Sequence, residues 1–268
     1  MKAEELKQIV KEKYGQIAEQ TADEQGCGCG SSCCGPGVDY TVFSENYETV
    51  EGYNPEADLN LGCGIPTDFA GIKKGDHVLD LGSGAGNDCF VARAMVGETG
   101  QVTGIDMTEP MIKKARENCE KLKFGNVGFV YGDIEAMPFK DKVFDVVISN
   151  CVLNLVPDKV KAFGEIFRVL KPGAHFCVSD VVIKGRLSEK MQKDAELYAG
   201  CVSGASEMDE YLKIVRDAGF HNIQVHKQKE IKLPDSLLSE YNDRGELDSY
   251  HSGERGIFSI TASGEKPL

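Results

Sequence analysis

Val78-Leu79-Asp80-Leu81-Gly82-Ser83-Gly84-Ala85-Gly86-Asn87 is the stretch from which the rest of the chain can be read. An apolar run closes on an acid, three glycines follow at alternate positions, and helix-compatible residues continue from Cys89 to Val96. That is the pattern of a strand, a tight turn and a helix start. The glycines admit positive φ and leave no Cβ where a ligand must come close. The helix that follows turns its unpaired N–H groups towards that ligand. Dinucleotide turns space their glycines G-x-G-x-x-G beneath a pyrophosphate; here they stand at Gly82, Gly84 and Gly86, with Asp80 in the strand end. The spacing favours a nucleoside cofactor without phosphate, and the strand-end carboxylate suits an ammonium group. S-adenosylmethionine has both properties. A second acid, Asp106, follows the strand Gln101 to Ile105 and lies twenty positions past Gly86, the distance at which an acid reaches ribose hydroxyls in doubly wound folds.

The alternation continues as a doubly wound, mostly parallel α/β sheet requires. Helix Glu109 to Leu122 and strand Val127 to Tyr131 lead to Gly132-Asp133-Ile134-Glu135. There Asp133 is placed to bond the adenine amino group and Ile134 to pack its ring; the competing reading of Asp133 is a helix N-cap. Strand Val143 to Ser149 is nearly all apolar, as a central parallel strand buried on both faces is. Helix Asp158 to Leu170 stops at Lys171-Pro172-Gly173 before strand Ala174 to Val181. The expected cofactor set is Asp80, Gly82, Ser83, Gly84, Asn87, Asp106, Met107, Asp133, Ile134 and Asn150.

Outside this core, residues 1 to 22 carry Leu6, Ile9, Val10, Tyr14 and Ile17 at helical steps, the stripe of an amphipathic helix that packs on the core or lids a site. Beyond Gly185 the pattern predicts helices Ser188 to Ala199 and Glu207 to Ala218, then edge strands Ile223 to Ile231 and Gly256 to Ala262, separated by a polar, mobile segment from Leu233 to Glu254. Three parts follow: a helix and cysteine-rich loop over residues 1–39, a cofactor-binding core over 40–185, and a C-terminal α/β elaboration over 186–268.

A chain of 268 residues buries a full core. With 30 Lys and Arg against 43 Asp and Glu, the net charge of -13 speaks against nucleic acid or an anionic membrane as partner. No apolar run reaches the roughly 20 residues of a membrane span, and Met1 to Lys7 has acids and no apolar signal region. A cytoplasmic, monomeric protein is expected.

Ten cysteines in a reducing compartment point to metal binding, thiol chemistry or catalysis rather than bridges. Cys27, Cys29, Cys33 and Cys34 lie in Gly26 to Gly37, which glycine and proline exclude from helix and strand. They offer soft ligands, but not at the C-x2-4-C spacing with a distant second pair of a zinc ribbon. Cys63, between Gly62 and Gly64, is expected in an exposed turn. Cys151 follows the fourth strand and falls at the mouth of the site, since ligands lie outside the carboxyl ends of the strands. Cys201 sits in the small-residue break Gly200 to Ala205. Cys89, Cys119 and Cys177 read as structural.

Leu61-Gly62-Cys63-Gly64, Asn150-Cys151-Val152-Leu153-Asn154-Leu155 and Ala199-Gly200-Cys201-Val202-Ser203-Gly204-Ala205, set around the glycine turn, resemble the arsenite methyltransferases from roughly Tyr40 to Phe220. The resemblance implies a class I, Rossmann-like methyltransferase. It also implies trivalent arsenic, taken up as arsenite or methylarsenite, bound by Cys63, Cys151 and Cys201 and methylated from S-adenosylmethionine. Cys33 or Cys34 would capture or exchange the substrate, and glutathione or thioredoxin would serve as thiol reductant. A quinone- or sterol-type C-methyltransferase accounts for the glycine turn but not for the cysteines. A reading of another class is a non-catalytic, thiol-rich metalloid binder that retains the methyltransferase fold; binding of arsenite without turnover would support it.

Overall fold

The structure is a computed structural model in which residues 3–19, 45–194, 202 and 204–268 are described. Helix α1 (Ala3–Glu19) precedes the core. Strand β1 (His77–Leu81), α2 (Asn87–Val96), β2 (Gln101–Asp106), α3 (Glu109–Leu122), β3 (Val127–Tyr131), β4 (Phe144–Asn150), α4 (Lys159–Val169) and β5 (Leu170–Lys184) then alternate as the sequence pattern predicts. Short α5 (Glu189–Lys193), α6 (Met208–Asp217), β6 (His221–Ile231), α7 (Asp235–Tyr241), α8 (Arg244–His251) and β7 (Gly256–Glu265) complete the described chain.

The seven strands form one sheet in the order β3-β2-β1-β4-β5-β7-β6. The first five are parallel; β7 pairs antiparallel with β5 on one side and β6 on the other. Strand order reverses between β1 and β4, and a doubly wound sheet opens its ligand crevice at that switch point. One face of the sheet packs Phe163 and Ile166 of α4 and Tyr211 of α6 against Val147 and Phe176. The other packs Phe90 of α2 and Ile112 of α3 against Val146 and Ile148. A third apolar cluster at the carboxyl ends of the strands joins Val10 of α1 to Cys63, Cys151, Leu155 and Val181.

Three expectations are corrected here. Gly256 to Ala262 is not a sheet edge: β7 is inserted between β5 and β6, its residues Ile257, Ile260 and Ala262 buried. Leu233 to Glu254 is not an irregular segment. It holds α7 and α8, with Leu233 and Leu238 buried and Asp243 and Glu246 closing a reciprocal capping box at the start of α8. Cys63 is not exposed. Its side chain is completely covered, within the apolar cluster that also holds Cys151, Val181 and Val10 of α1. The helix predicted over Ser188 to Ala199 is seen only as α5, which ends at Lys193 with Asp194 extended beyond it; residues 195–199 lie outside the described residues. No helix among the described residues is long and apolar enough to cross a membrane.

Candidate functional site

The carboxyl ends of β1, β2, β3 and β4 open into one cleft, with Lys7, Val10 and Tyr14 of α1 in its wall. The cleft takes in about 1050 Å³ when counted out through its open mouth. All ten residues of the expected cofactor set line it, and so does Cys151. Gly82 shows why the turn needs glycine. Its φ is +62°, and a Cβ there would stand 2.4 Å from Cγ2 of Val152.

Acids dominate the polar wall. Asp106 is nearly covered; its Oδ2 accepts the Gly84 N–H at 3.0 Å and its Oδ1 the Thr108 N–H at 2.8 Å. Burial raises its pKa and these N–H groups oppose the rise. Asp80, at the end of β1, accepts the Cys89 thiol proton at 3.2 Å. Burial, then the neighbouring Asp88, hold its pKa well above the carboxylate range. Asp88, in the first turn of α2, accepts the Tyr47 hydroxyl at 2.7 Å and the Asn150 amide at 3.1 Å, and burial pushes its pKa up to about 6. Three carboxyls whose ionised forms burial disfavours gain most from a cation that restores their charge. S-adenosylmethionine has two cationic centres, its ammonium and its sulfonium. Ser83 Oγ and Asn87 Oδ1 are buried in the same wall without a hydrogen-bond partner among the described residues. A polar ligand is what such atoms require. On both grounds the wall fits this cofactor.

Asp133 is not a helix cap. Its Oδ1 accepts the Glu135 N–H at 2.9 Å, while its Oδ2 is paired at 2.6 Å with Lys7, which also reaches Glu135. The Asp133 end of the cleft is thus bolted to α1. Ile134 is buried beside it and Met107 packs into the cysteine cluster.

Cys63 and Cys151 share that apolar cluster. Cys151 has φ +60°, a left-handed conformation that costs a residue with a Cβ about 1 kcal/mol or more. Its N–H donates to Ser179 O at 2.7 Å. The Cys63 N–H donates to Asn150 Oδ1 at 3.0 Å, and Ser259 of β7 donates to the Cys63 carbonyl. Cys33, Cys34 and Cys201 lie outside the described residues. Cys89, Cys119 and Cys177 are buried in the core. Sequence reasoning missed Lys7, Tyr47 and Asp88 as part of the wall.

A methyltransferase-domain family matches residues 72–219. The arsenite methyltransferase of Halobacterium salinarum is 38% identical over 98% of this chain and 67% of its own length. The crystal structure of an arsenic(III) S-adenosylmethionine methyltransferase from Chlamydomonas reinhardtii superposes with a TM-score of 0.66 at 36% identity, over 77% of this chain and 68% of that one.

The chain belongs to the arsenite methyltransferase family.

Its fold is the class I methyltransferase fold that the resemblance implied, on the doubly wound sheet read from the glycine turn. The quinone-type alternative is less similar. The ubiquinone/menaquinone C-methyltransferase of Cronobacter sakazakii is 32% identical but matches only 59% of this chain. As a family member the chain is an enzyme that uses S-adenosylmethionine.

Proposed function

We propose that the enzyme transfers methyl groups from S-adenosylmethionine to trivalent arsenic held by the thiolates of Cys63, Cys151 and Cys201. What supports this most directly is position: Cys151 stands in the wall of the ten-residue cofactor cleft, and Cys63 packs in the same cluster behind it. Bound S-adenosylmethionine would supply an electrophilic methyl group. Asp106 would hold its ribose, Asp80 and Asp88 its ammonium, and Asp133 with Ile134 its adenine.

Arsenite, As(OH)3, is neutral and soft, so thiol sulfur displaces its hydroxyls as soft ligands select soft metals. Each exchange forms one As–S bond and releases one water, the thiol proton leaving with the hydroxyl. Three sulfurs in a pyramid leave the arsenic lone pair as nucleophile. That pair carries no proton, so no general base is needed, and the protein's work is to align arsenic and methyl group. The apolar surroundings of Cys63 and Cys151 keep water from competing for the arsenic. The transfer would form an As–C bond, break the sulfur–methyl bond and release S-adenosylhomocysteine; arsenic goes formally from trivalent to pentavalent, and glutathione or thioredoxin would supply the two electrons that restore the trivalent state. Cys33 or Cys34 would deliver arsenite to the buried pair. In this reading the elements after residue 185 complete the arsenic site, and the enzyme works as a cytoplasmic monomer.

The test is incubation with arsenite, methyl-labelled S-adenosylmethionine and glutathione, followed by separation of the arsenic species. Labelled methylarsenicals that disappear in Cys151→Ser and Cys201→Ser are the expected result. Label retained in the cofactor while arsenite binds would identify a metalloid binder and sink the proposal.

A further inference from the structure

Asn150 is the side chain that touches both halves of the site. It lines the cofactor cleft from the end of β4, and its amide grips the Cys63 turn. Its Oδ1 accepts the Cys63 N–H at 3.0 Å, and its Nδ2 reaches Gly64 O at 2.8 Å, the Tyr47 hydroxyl at 2.9 Å and Asp88 Oδ2 at 3.1 Å. The approach is close. A Cβ on Gly62 would stand 2.5 Å from that nitrogen, so the turn meets the amide only because Gly62 has none.

An amide has two faces of similar shape and opposite chemistry, and something must select between them. Ionised Asp88 is an acceptor and nothing else, so the amide nitrogen faces it and the oxygen is left for Cys63. Turned the other way, the oxygen would face the Asp88 carboxylate and the Gly64 carbonyl, and the nitrogen would face the Cys63 N–H. Asp88 is itself held. The Tyr47 hydroxyl lies 2.7 Å from Asp88 Oδ1 and 3.0 Å from Gly64 O. It has one proton, which goes to the nearer and charged acceptor, and its lone pairs then receive the Asn150 amide. Tyr47 and Asp88 are both nearly covered, which keeps water out of the chain of bonds.

We propose that Asp88 and Tyr47 are positioning residues for arsenic methylation: they orient the Asn150 amide, and through it fix the Cys63 turn against the methyl-donor cleft. The proposal rests on the reading of Cys63 as an arsenic ligand. Because Asp88 also lines the cofactor wall, one carboxylate sets the positions of both reactants.

Tyr47→Phe tests this in the full chain, since it removes one hydroxyl and keeps the ring. Three quantities are measured: kcat for methyl transfer to arsenite, the dissociation constant of S-adenosylmethionine, and the iodoacetamide alkylation rates of Cys63 and Cys177 by peptide mapping. The expected result is a fall in kcat of about tenfold with cofactor affinity held within about threefold. Cys63 alkylation accelerates at least about fivefold while Cys177, inside β5, stays at its wild-type rate. Asp88→Asn, which puts a donor where the acceptor stood, reproduces the Cys63 acceleration. An unchanged kcat, an equal loss of cofactor affinity, or parallel acceleration at Cys177 would each overturn the proposal. Wild-type turnover in Cys63→Ser would instead overturn the ligand reading beneath it, and the alkylation rates, which need no turnover, would still decide whether Tyr47 and Asp88 fix the turn.

Discussion

The cofactor end and the cysteine end of the cleft are neighbours built on different terms. In the cofactor cleft, nine of the ten expected groups come from Asp80 to Ile134, each at or just past the carboxyl end of β1, β2 or β3, and Asn150 stands at the end of β4. Backbone conformation places them, through the Gly82 to Gly86 turn and strand-end carboxylates. Around Cys63, the contacts come from residues as far apart as Val10, Asn150 and Ser259. Side-chain hydrogen bonds and apolar packing place them. The first region is a local motif repeated on successive strands; the second exists only when the tertiary fold is complete. They should therefore fail separately.

The largest separation is expected from Cys151→Ser. Methyl transfer should fall by about a thousandfold or more, while S-adenosylmethionine binds as in the wild type, since only the sulfur is lost. A cofactor affinity that falls with it would show that the two regions are not separable at Cys151. Asp106→Ala is the reciprocal change. It should weaken S-adenosylmethionine by about 10- to 100-fold, the worth of a buried charged acceptor, and leave the stoichiometry of arsenite binding, measured on desalted protein, unaltered.

A third comparison uses pH. Asp180, a completely buried residue of β5 that accepts the Tyr211 hydroxyl at 3.1 Å, has its carboxyl raised by burial to about 7. A raised acid binds its proton more tightly in the folded state, so its contribution to stability is full below the unfolded pKa and is lost as pH rises to about 7. Asp80, Asp88 and Asp106 are raised too and act in the same direction. Asp180→Asn should remove one share of that slope, so that at pH 8 its melting temperature exceeds the wild type's by about 5 °C. A gap that stays constant from pH 4 to pH 8 would exclude titration of Asp180 as its cause. The smallest effect is expected from Lys7→Met, which unbolts α1 from Asp133 and Glu135. Such a partly buried pair is worth about 1 kcal/mol, so stopped-flow measurements should show S-adenosylmethionine leaving about fivefold faster.

The same contrast governs what could be read from the amino-acid order. The glycine turn, Asp106 and the end of β3 were legible because each lies within a few residues of the strand that presents it. Cys151 was legible as the continuation of an apolar strand. The exposure of Cys63 is misread from sequence because its glycine neighbours describe a turn but not what packs on it: Asn150 and Ser259, which hold its backbone, are distant in sequence. Asp88 carried a usable signal, an acid one residue past Asn87 in the first turn of α2. Tyr47 carried none, standing in a polar stretch whose partners are 17, 41 and 103 residues away. Helix α8 did announce itself, in the three-residue spacing of Asp243 and Glu246, but the surrounding polar residues hid the cap.

The placement of β7 has a consequence for how the enzyme is made. It is the last strand of the described chain, yet it sits inside the sheet, and β6 has no other neighbour. Until the ribosome has released Gly256 to Glu265, β6 cannot join the sheet, the edge of β5 stays open, and Ser259 is not there to hold the Cys63 carbonyl. A nascent chain can close the cofactor cleft before β7 is made, because all of that wall lies upstream, but the Cys63 turn must wait for β7 to thread between β5 and β6. Removing β7 should leave the cofactor cleft formed and the Cys63 turn unset, so the hold on that turn is made later in synthesis than the cleft beside it.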